Sequence, residues 1–260
     1  MRMLNGLTPC RLTVQYRMDP DISACILPIY RDGMTGTAQL SNSTTLRSDS
    51  ERARYRDLAL QALRSAYPAI QTTSLLLTVK NGILLKERAG PSKANLHSLM
   101  ATLFAILLLR ETHAWKDIHV IVMYKTQVDA LFRLLAKLGI PAGHINNNLN
   151  VDRLSIGTVD ASQGRENWCV IVDLVTPANN IYRAGFIQDI RRLNVGFSRA
   201  RTVRIVIADK ETGCQLYEEA VAMAIPRGSG RYNFVQHHIN IHEQWVYHGA
   251  IRMMRQHADG

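Results

Sequence analysis

Residues 118–138 read IHVIVMYKTQVDALFRLLAKL. The apolar run Ile118–Met123 is typical of a strand buried on both faces of a parallel sheet. The rest of the stretch carries apolar residues at helical spacing and is followed by Gly139 and Pro141, so we predict a helix over 125–138. A strand that leads directly into a helix is the repeating unit of an α/β fold.

The same alternation extends to both sides of this stretch. We predict further strands over 75–79, 154–159, 170–175 and 203–208, and helices over 58–66, 94–109 and 189–200. The segment 94–109 has no charged residue, but it is shorter than the ~20 residues that span a bilayer, so we predict a buried helix. The pattern indicates an α/β fold with a mainly parallel sheet flanked by helices.

The first third of the chain has a weaker pattern. We predict a short strand over 12–15, a helix over 22–29, a loop or exposed insertion over 37–56, and a turn at Asn81-Gly82. After Gly213 the alternation fades. We therefore expect one large domain over 1–213 and a C-terminal extension over 214–260, whose degree of order the pattern leaves open.

Composition narrows the class of protein. The chain has 260 residues, 47% of them apolar, and a net charge of +10 with a pI near 9.7. Such a balance fits a polyanionic partner such as nucleic acid, and equally an ordinary basic domain. The four cysteines, Cys10, Cys25, Cys169 and Cys214, show no zinc-ligand spacing, so we expect no metal site, a reducing compartment and an intracellular location.

Two polar segments carry residue types that suit a nucleotide. In Gln15-Tyr16-Arg17-Met18 an aromatic ring stands beside a guanidinium, and these groups can lie on a base and bind phosphate. Thr158–Glu166 leaves a predicted strand and turns at Gly164, where the backbone can approach a ligand closely. Taken singly, a Tyr-Arg pair on a surface and a capped loop are the commoner interpretations.

A third segment, Arg191–Arg201, carries paired basic residues. Arg192 and Arg199 are seven positions apart on one face of the predicted helix, where they repel each other unless an anion lies near. A solvated basic face is the commoner interpretation of such a pair taken alone.

In this order, the three segments resemble the motifs of the second motor domain of superfamily 1 nucleic-acid helicases. The branch that contains the nonsense-mediated-decay RNA helicase is the most similar. The resemblance covers about residues 11–210 and is thin across 35–115. It departs from the family at Gly196-Phe197-Ser198, usually Ala-Leu-Thr, and at Asp19, often His. It implies a RecA-like three-layer fold of the P-loop NTPase superfamily, here without its own P-loop.

The resemblance also implies residue roles at the nucleotide. Arg199 and Arg17 are implied to be catalytic: Arg199 points at the γ-phosphate of ATP on the other motor domain, Arg17 reaches the same phosphate, and they stabilise charge there. Tyr16 is implied to pack on the adenine and Glu166 to accept a hydrogen bond from the ribose, with Arg192 as a supporting contact.

Other positions are implied to serve the nucleic acid. Thr158 and Asp160 are expected near its backbone, and Gln163-Gly164 are expected to couple the two sites. Tyr124 and Gln127 match a weaker family segment in which Met123 replaces a proline. They are either nucleic-acid contacts or ordinary residues at a helix start.

An ATP-driven motor also needs a phosphate cradle. The sequence contains neither G-x-x-x-x-G-K-[ST] nor an adjacent Asp-Glu pair, and it begins just before Gln15. We therefore expect ATP and Mg²⁺ to bind only together with a first RecA-like domain that carries the Walker A and B motifs. The chain alone is expected neither to hydrolyse ATP nor to unwind a duplex.

Two functions are consistent with the sequence. The preferred one is the second motor half of an ATP-dependent helicase that acts on single-stranded RNA or DNA, with no membrane partner. The alternative is a motor-dead module that binds nucleic acid or docks on another protein. A metabolic α/β enzyme is disfavoured because the sequence has no Ser/His/Asp, metal or dinucleotide signature.

Overall fold

The computed structural model describes residues 13–24, 26, 30, 40–79, 84–86, 92–145, 151–176, 189–208 and 238–239. Its strands are β1 (Val14–Gln15), β2 (Ser41–Asn42), β3 (Ser74–Thr78), β4 (Leu84–Lys86), β5 (Lys93–Asn95), β6 (Ile118–Val122), β7 (Ala142–His144), β8 (Leu154–Thr158), β9 (Asn167–Asp173), β10 (Ala200–Ala208) and β11 (His238–Ile239). Its helices are α1 (Pro20–Ser23), α2 (Ser50–Ala66), α3 (Leu96–Arg110), α4 (Lys125–Lys137) and α5 (Ile190–Phe197), with 3-10 turns at Thr44–Arg47 and Trp115–Asp117.

Seven of the strands in the described residues form one sheet, in the order β11-β3-β10-β9-β6-β8-β7. Every pairing in this sheet is parallel. All five residues of β6 are buried, as expected for a strand covered on both faces. The predicted fold class is confirmed.

Helices cover both faces of the sheet. α3 packs on α2 and lies over β9 and β10, and Asp173 of β9 points toward α3. The preceding residue, Val172, faces the other way and would be 3.4 Å from a Cβ on Gly196 of α5. Because side chains alternate along a strand, α3 and α5 lie on opposite faces and the domain has three layers.

The predicted loop over 37–56 is wrong in its second half. α2 begins at Ser50, and the side chain of its N-cap, Asp49, accepts hydrogen bonds from the backbone amides of Glu51 and Arg52. The polar composition that predicted a loop belongs largely to the surface face of this helix, since Arg52 is buried in its first two turns while Ser50, Glu51 and Arg54 are exposed.

Several predicted bounds also change. The helix predicted over 94–109 begins at Leu96, because Asn95 ends β5 and caps the helix with its side chain. The helix predicted over 189–200 ends at Phe197, since β10 begins at Ala200. Of the helix predicted over 22–29, residues 25 and 27–29 lie outside the described residues, as do the turn at 81–82 and all of 214–260 except β11.

The apolar helix α3 is buried along most of its length, with Leu103, Ile106 and Leu109 inaccessible to solvent. This confirms the predicted buried helix. Within the described ranges, none of the helices combines the length and apolar character that a bilayer crossing requires.

Candidate nucleotide site

Gln15 folds the turn that presents Tyr16 and Arg17. Its side-chain oxygen accepts hydrogen bonds from the backbone amides of Arg17 (2.9 Å) and Met18 (2.8 Å), and its Nε2 donates to the Met18 carbonyl (2.8 Å). Met18 anchors the turn in the core, while Tyr16 is 64% exposed. The aromatic ring is therefore open to a ligand, and the next guanidinium lies at the same surface.

Arg17, Glu166 and Arg199 come from three separate segments and meet at one place. Arg17 Nε lies 2.6 Å from Glu166 Oε2, and Arg17 Nη1 donates to the Ser198 carbonyl at 3.3 Å. Arg199 donates from Nη1 to the Arg165 carbonyl at 3.3 Å and from Nη2 to Ser198 Oγ at 2.7 Å. The structure thus brings the two implied catalytic arginines together with the implied ribose acceptor.

The charge of this cluster is positive. Burial, and then the nearby guanidinium of Arg17, lower the pKa of Arg199, which shows that the two cations are close enough to interact. Glu166 is the one carboxylate in direct contact with the Arg17 guanidinium among the described residues. Two guanidiniums against one carboxylate favour the arrival of an anion with several acceptor oxygens, such as a phosphate.

Arg199 lies beyond the end of α5, so the predicted stacking of Arg192 and Arg199 on one helix face is wrong. The Arg199 guanidinium turns back, and its Nε donates to the Val195 carbonyl at 2.9 Å. Arg192 instead reaches Asp160, with Nε 3.2 Å from Oδ1, and Asp189, with Nη1 3.6 Å from Oδ2. Arg192, which the resemblance implies near the nucleotide, is thus paired with Asp160, which the resemblance implies near the nucleic acid.

The segment 158–166 links two edges of the sheet. Thr158 ends β8 at the carboxyl edge, whereas Glu166 immediately precedes β9 at the amino edge, where the Asn167 amide donates to the Arg199 carbonyl (3.1 Å). Asp160 therefore lies toward the carboxyl edge, and the Arg17 cluster toward the amino edge. The two sets of implied residues occupy opposite ends of one crossing segment.

One buried residue fastens this segment to the sheet. Ser162 is inaccessible to solvent, and its Oγ donates to the Thr158 carbonyl at 2.8 Å and lies 3.2 Å from Nε2 of His119 in β6. Burial lowers the pKa of His119 to about 3, so this contact involves a neutral imidazole. Gln163 and Gly164 are exposed beyond the anchor, and Gly164 has φ of 78°.

Gln127 and Tyr124 are placed inside the protein. Gln127 is 1% exposed, and its Nε2 donates to Asp173 Oδ2 (2.7 Å) and Ser98 Oγ (3.0 Å), while its Oε1 accepts from the Asn95 amide (2.9 Å). Tyr124 is also buried. A glutamine used in this way has no side-chain surface to offer a nucleic acid.

Two residues that hold the site were not identified from the sequence. The sequence motif contains Gln15 without giving it a role of its own, although a polar residue that ends a strand before a turn is a signal for such a role. Arg52 falls in the predicted loop over 37–56, and no feature of the sequence indicates its role. Within the described residues, no group of three or more His, Cys, Asp and Glu could hold a metal ion.

Comparisons with known proteins identify the family of the chain. The AAA domain family matches residues 2–211. Probable helicase senataxin of Mus musculus is 26% identical over 216 residues, which cover 81% of this chain and 7% of senataxin. ATP-dependent helicase NAM7 of Saccharomyces cerevisiae is 26% identical over 209 residues, which cover 78% of this chain and 19% of NAM7. The chain therefore spans less than a fifth of the length of these two relatives.

A solved structure also matches. It is the C-terminal domain of a possible DNA helicase from Lactobacillus plantarum WCFS1, with 13% identity and a TM-score of 0.39 over 66% of this chain and 94% of that chain.

Proposed function

We propose, from the premise that this chain belongs to the AAA domain family and is a superfamily 1 helicase domain, that it is the second RecA-like motor domain of an ATP-dependent helicase. The observation that carries the proposal is the meeting of Arg17, Glu166 and Arg199 at one end of the sheet. Three distant segments have no structural need to place two guanidiniums together, since like charges repel.

The residues of the cluster fit the terminal phosphate of ATP. When bound on a first motor domain, ATP supplies the phosphoryl group that is transferred to water. Arg199 and Arg17 would donate hydrogen bonds to its γ-phosphate and would stabilise the charge that develops on the phosphoryl group. Tyr16 offers an exposed ring to the base, and Glu166 offers a carboxylate to a ribose hydroxyl.

We assign the nucleic-acid end of the site to Thr158, Asp160 and the Arg192 that pairs with Asp160. The basic net charge of the chain supports a single-stranded RNA or DNA partner. Gln163 and Gly164 lie on the segment that joins this end to Glu166, so a shift of the segment on nucleotide binding would reach both ends. This is the proposed route of coupling between ATP hydrolysis and movement on the strand.

The test is reconstitution with a first motor domain of the same family that carries the phosphate cradle. We expect no ATP turnover from either half alone, and turnover stimulated by single-stranded RNA or DNA when the halves are mixed with Mg²⁺. Arg199→Ala should lower kcat by about 10³-fold or more, the contribution of an arginine finger.

Arg191→Ala is the matched control. Its side chain is 87% exposed and pairs with the neighbouring Asp189, so kcat should stay near the wild-type value. Turnover by the purified chain alone that Arg199→Ala abolishes would show that the chain is not half of a motor. Equal kcat for the two alanine variants would remove Arg199 from the mechanism.

The second candidate is a module that binds nucleic acid without turnover, which the net charge of +10 favours by itself. In that case the mixture shows no stimulated ATPase activity. The chain alone then binds single strands with an affinity that falls steeply with salt, because phosphate contacts release counterions.

A further inference from the structure

Arg52 lies behind the Tyr16–Arg17 segment. It belongs to the first turn of α2 and is only 4% exposed. Its Nη2 donates to the Tyr16 carbonyl at 2.8 Å, and its Nη1 donates to the Arg17 carbonyl at 2.7 Å. The guanidinium therefore binds the main chain of both residues, while the Tyr16 ring stays exposed and the Arg17 side chain faces Glu166.

The other side of the same guanidinium is fixed by α2. Arg52 Nε donates to Asp49 Oδ2 at 3.1 Å, and the other carboxylate oxygen of Asp49 caps the helix by accepting from the Glu51 and Arg52 amides. Hydrogen bonds from Arg52 and Glu51, with the Arg52 charge, lower the pKa of Asp49. The fork of Arg52 is thus locked to the start of a long helix.

Arg52 also reaches the segment that carries Arg199. Its Nη1 lies 3.4 Å from the carbonyl of Arg201, which in turn accepts the Asp19 amide at 2.9 Å. Arg201 follows Arg199 by two residues at the start of β10. One buried side chain therefore connects α2, the Tyr16–Arg17 turn and the beginning of β10.

We propose that Arg52 is a positioning residue, which sets the main chain of Tyr16 and Arg17 relative to Arg199. This inference rests on the proposed function of the cluster. Arginine suits the role because its planar fork presents five N–H donors in fixed directions, and a lysine ammonium cannot reach the same acceptors together. Arg52 is too deeply buried to touch the nucleotide itself.

The first experiment tests, without measuring catalysis, whether Arg52 holds the main chain of the Tyr16–Arg17 turn. Arg52→Lys keeps the charge and removes the fork, and amide hydrogen exchange is measured on the full chain. We expect exchange at Met18 and Asp19 to become about tenfold faster or more, because the turn loses charge-assisted hydrogen bonds. Arg64→Lys is the control, since Arg64 lies on the same helix and its Nε donates to the distant Ile70 carbonyl at 2.9 Å.

The second experiment asks whether Arg52 acts through Arg17. In the reconstituted ATPase, Arg52→Lys should lower kcat by about 10- to 100-fold, the usual cost of a misplaced catalytic group. The same change in an Arg17→Ala background should then have little further effect, because the group that Arg52 positions is gone. General structural damage would lower kcat by the same factor in both backgrounds.

Each outcome is decisive. Faster exchange together with a non-additive loss of kcat supports the positioning role. Unchanged exchange at Met18 and Asp19 overturns it, whatever the ATPase shows. Equal loss in both backgrounds overturns it in favour of a structural role. If Arg17→Ala leaves kcat unchanged, the proposed catalytic role of Arg17 is refuted, and the claim that Arg52 acts on catalysis through Arg17 is refuted with it. The exchange data test separately whether Arg52 holds the turn, so the failure of the proposed function and the failure of the positioning role remain distinguishable.

Discussion

Replacing Gln127 with alanine separates a structural role from a nucleic-acid contact at that position. The change removes the Nε2 amide group, whose two hydrogens are shared among Asp173 Oδ2, Ser98 Oγ and the Asn95 carbonyl, and the hydrogen bond that Oε1 accepts from the Asn95 amide. A neutral buried hydrogen bond contributes about 1 kcal/mol and one to a charged acceptor about 1.5–3 kcal/mol. We therefore expect the free energy of unfolding to fall by roughly 3–5 kcal/mol.

The cost should also depend on pH. Burial raises the pKa of Asp173, and the hydrogen bond from Gln127 is the largest influence that lowers it. Without this bond the folded-state pKa rises further. When a carboxyl group has a higher pKa in the folded state than in the unfolded state, the free energy of unfolding falls as pH rises. The difference in the free energy of unfolding between the wild-type protein and the variant should therefore grow from acidic toward neutral solution.

The assay is urea unfolding followed by circular dichroism, with single-strand binding measured in parallel. Gln61→Ala is the control, because Gln61 is an exposed glutamine within α2 and its loss should change stability by less than about 0.5 kcal/mol. The reasoning is refuted if Gln127→Ala and Gln61→Ala unfold at the same urea concentration while only the former weakens strand binding.

Three further changes test the structure elsewhere. Burial raises the pKa of Asp19 to about 6 although Arg56 and Arg52 lower it, so Asp19 stabilises the fold less as pH rises from about 4 to 6. Asp19→Asn should remove this pH dependence of the free energy of unfolding, which amounts to up to roughly 3 kcal/mol. Parallel curves of the free energy of unfolding against pH for the two proteins would contradict this prediction. Gly164→Ala should cost about 1 kcal/mol in thermal unfolding, because its φ of 78° disfavours a side chain although no atom obstructs one. Gly196→Ala should instead raise stability by up to about 1 kcal/mol, because Gly196 lies inside α5 and an added Cβ would make only ordinary contacts, the nearest with Val172 at 3.4 Å. The same sign for both glycine variants would be inconsistent with this structure.

The strands of the central sheet could be predicted because burial on both faces demands continuous apolar residues. β6, β9 and β10 each contain a mainly apolar run, whereas β8 also carries Ser155 and Thr158, and the predicted positions of all four agree with the structure to within a few residues. The short strand β7 escaped prediction, since its three residues include Gly143 and His144 and make no apolar run. The start of α2 escaped it because a helix that exposes most of its first turns has the composition of a loop.

The sequence motifs do not predict how the residues of the candidate site pair with one another. The motifs pointed to Arg17, Glu166 and Arg199, but which carboxylate meets which guanidinium depends on loops that approach only after the sheet forms. The burial of Gln127 likewise depends on a partner that is distant in the sequence. A polar residue after a strand reads as exposed, and the partner that draws it inward, Asp173, lies at the end of a different strand.

The resting contacts of the two arginines differ in a way that bears on nucleotide binding. Arg17 is paired with Glu166, and the two side chains are 36% and 44% exposed, so the pair contributes little and is easily exchanged for another anion. Arg199 is held by the Val195 and Arg165 carbonyls and by Ser198 Oγ, all from adjacent segments. We therefore expect Arg199 to stay in place when a phosphate arrives, while Arg17 changes partner from Glu166 to the phosphate. The carboxylate released by this exchange is then free to accept a hydrogen bond from a ribose hydroxyl, so one ion pair would account for both implied contacts of the nucleotide.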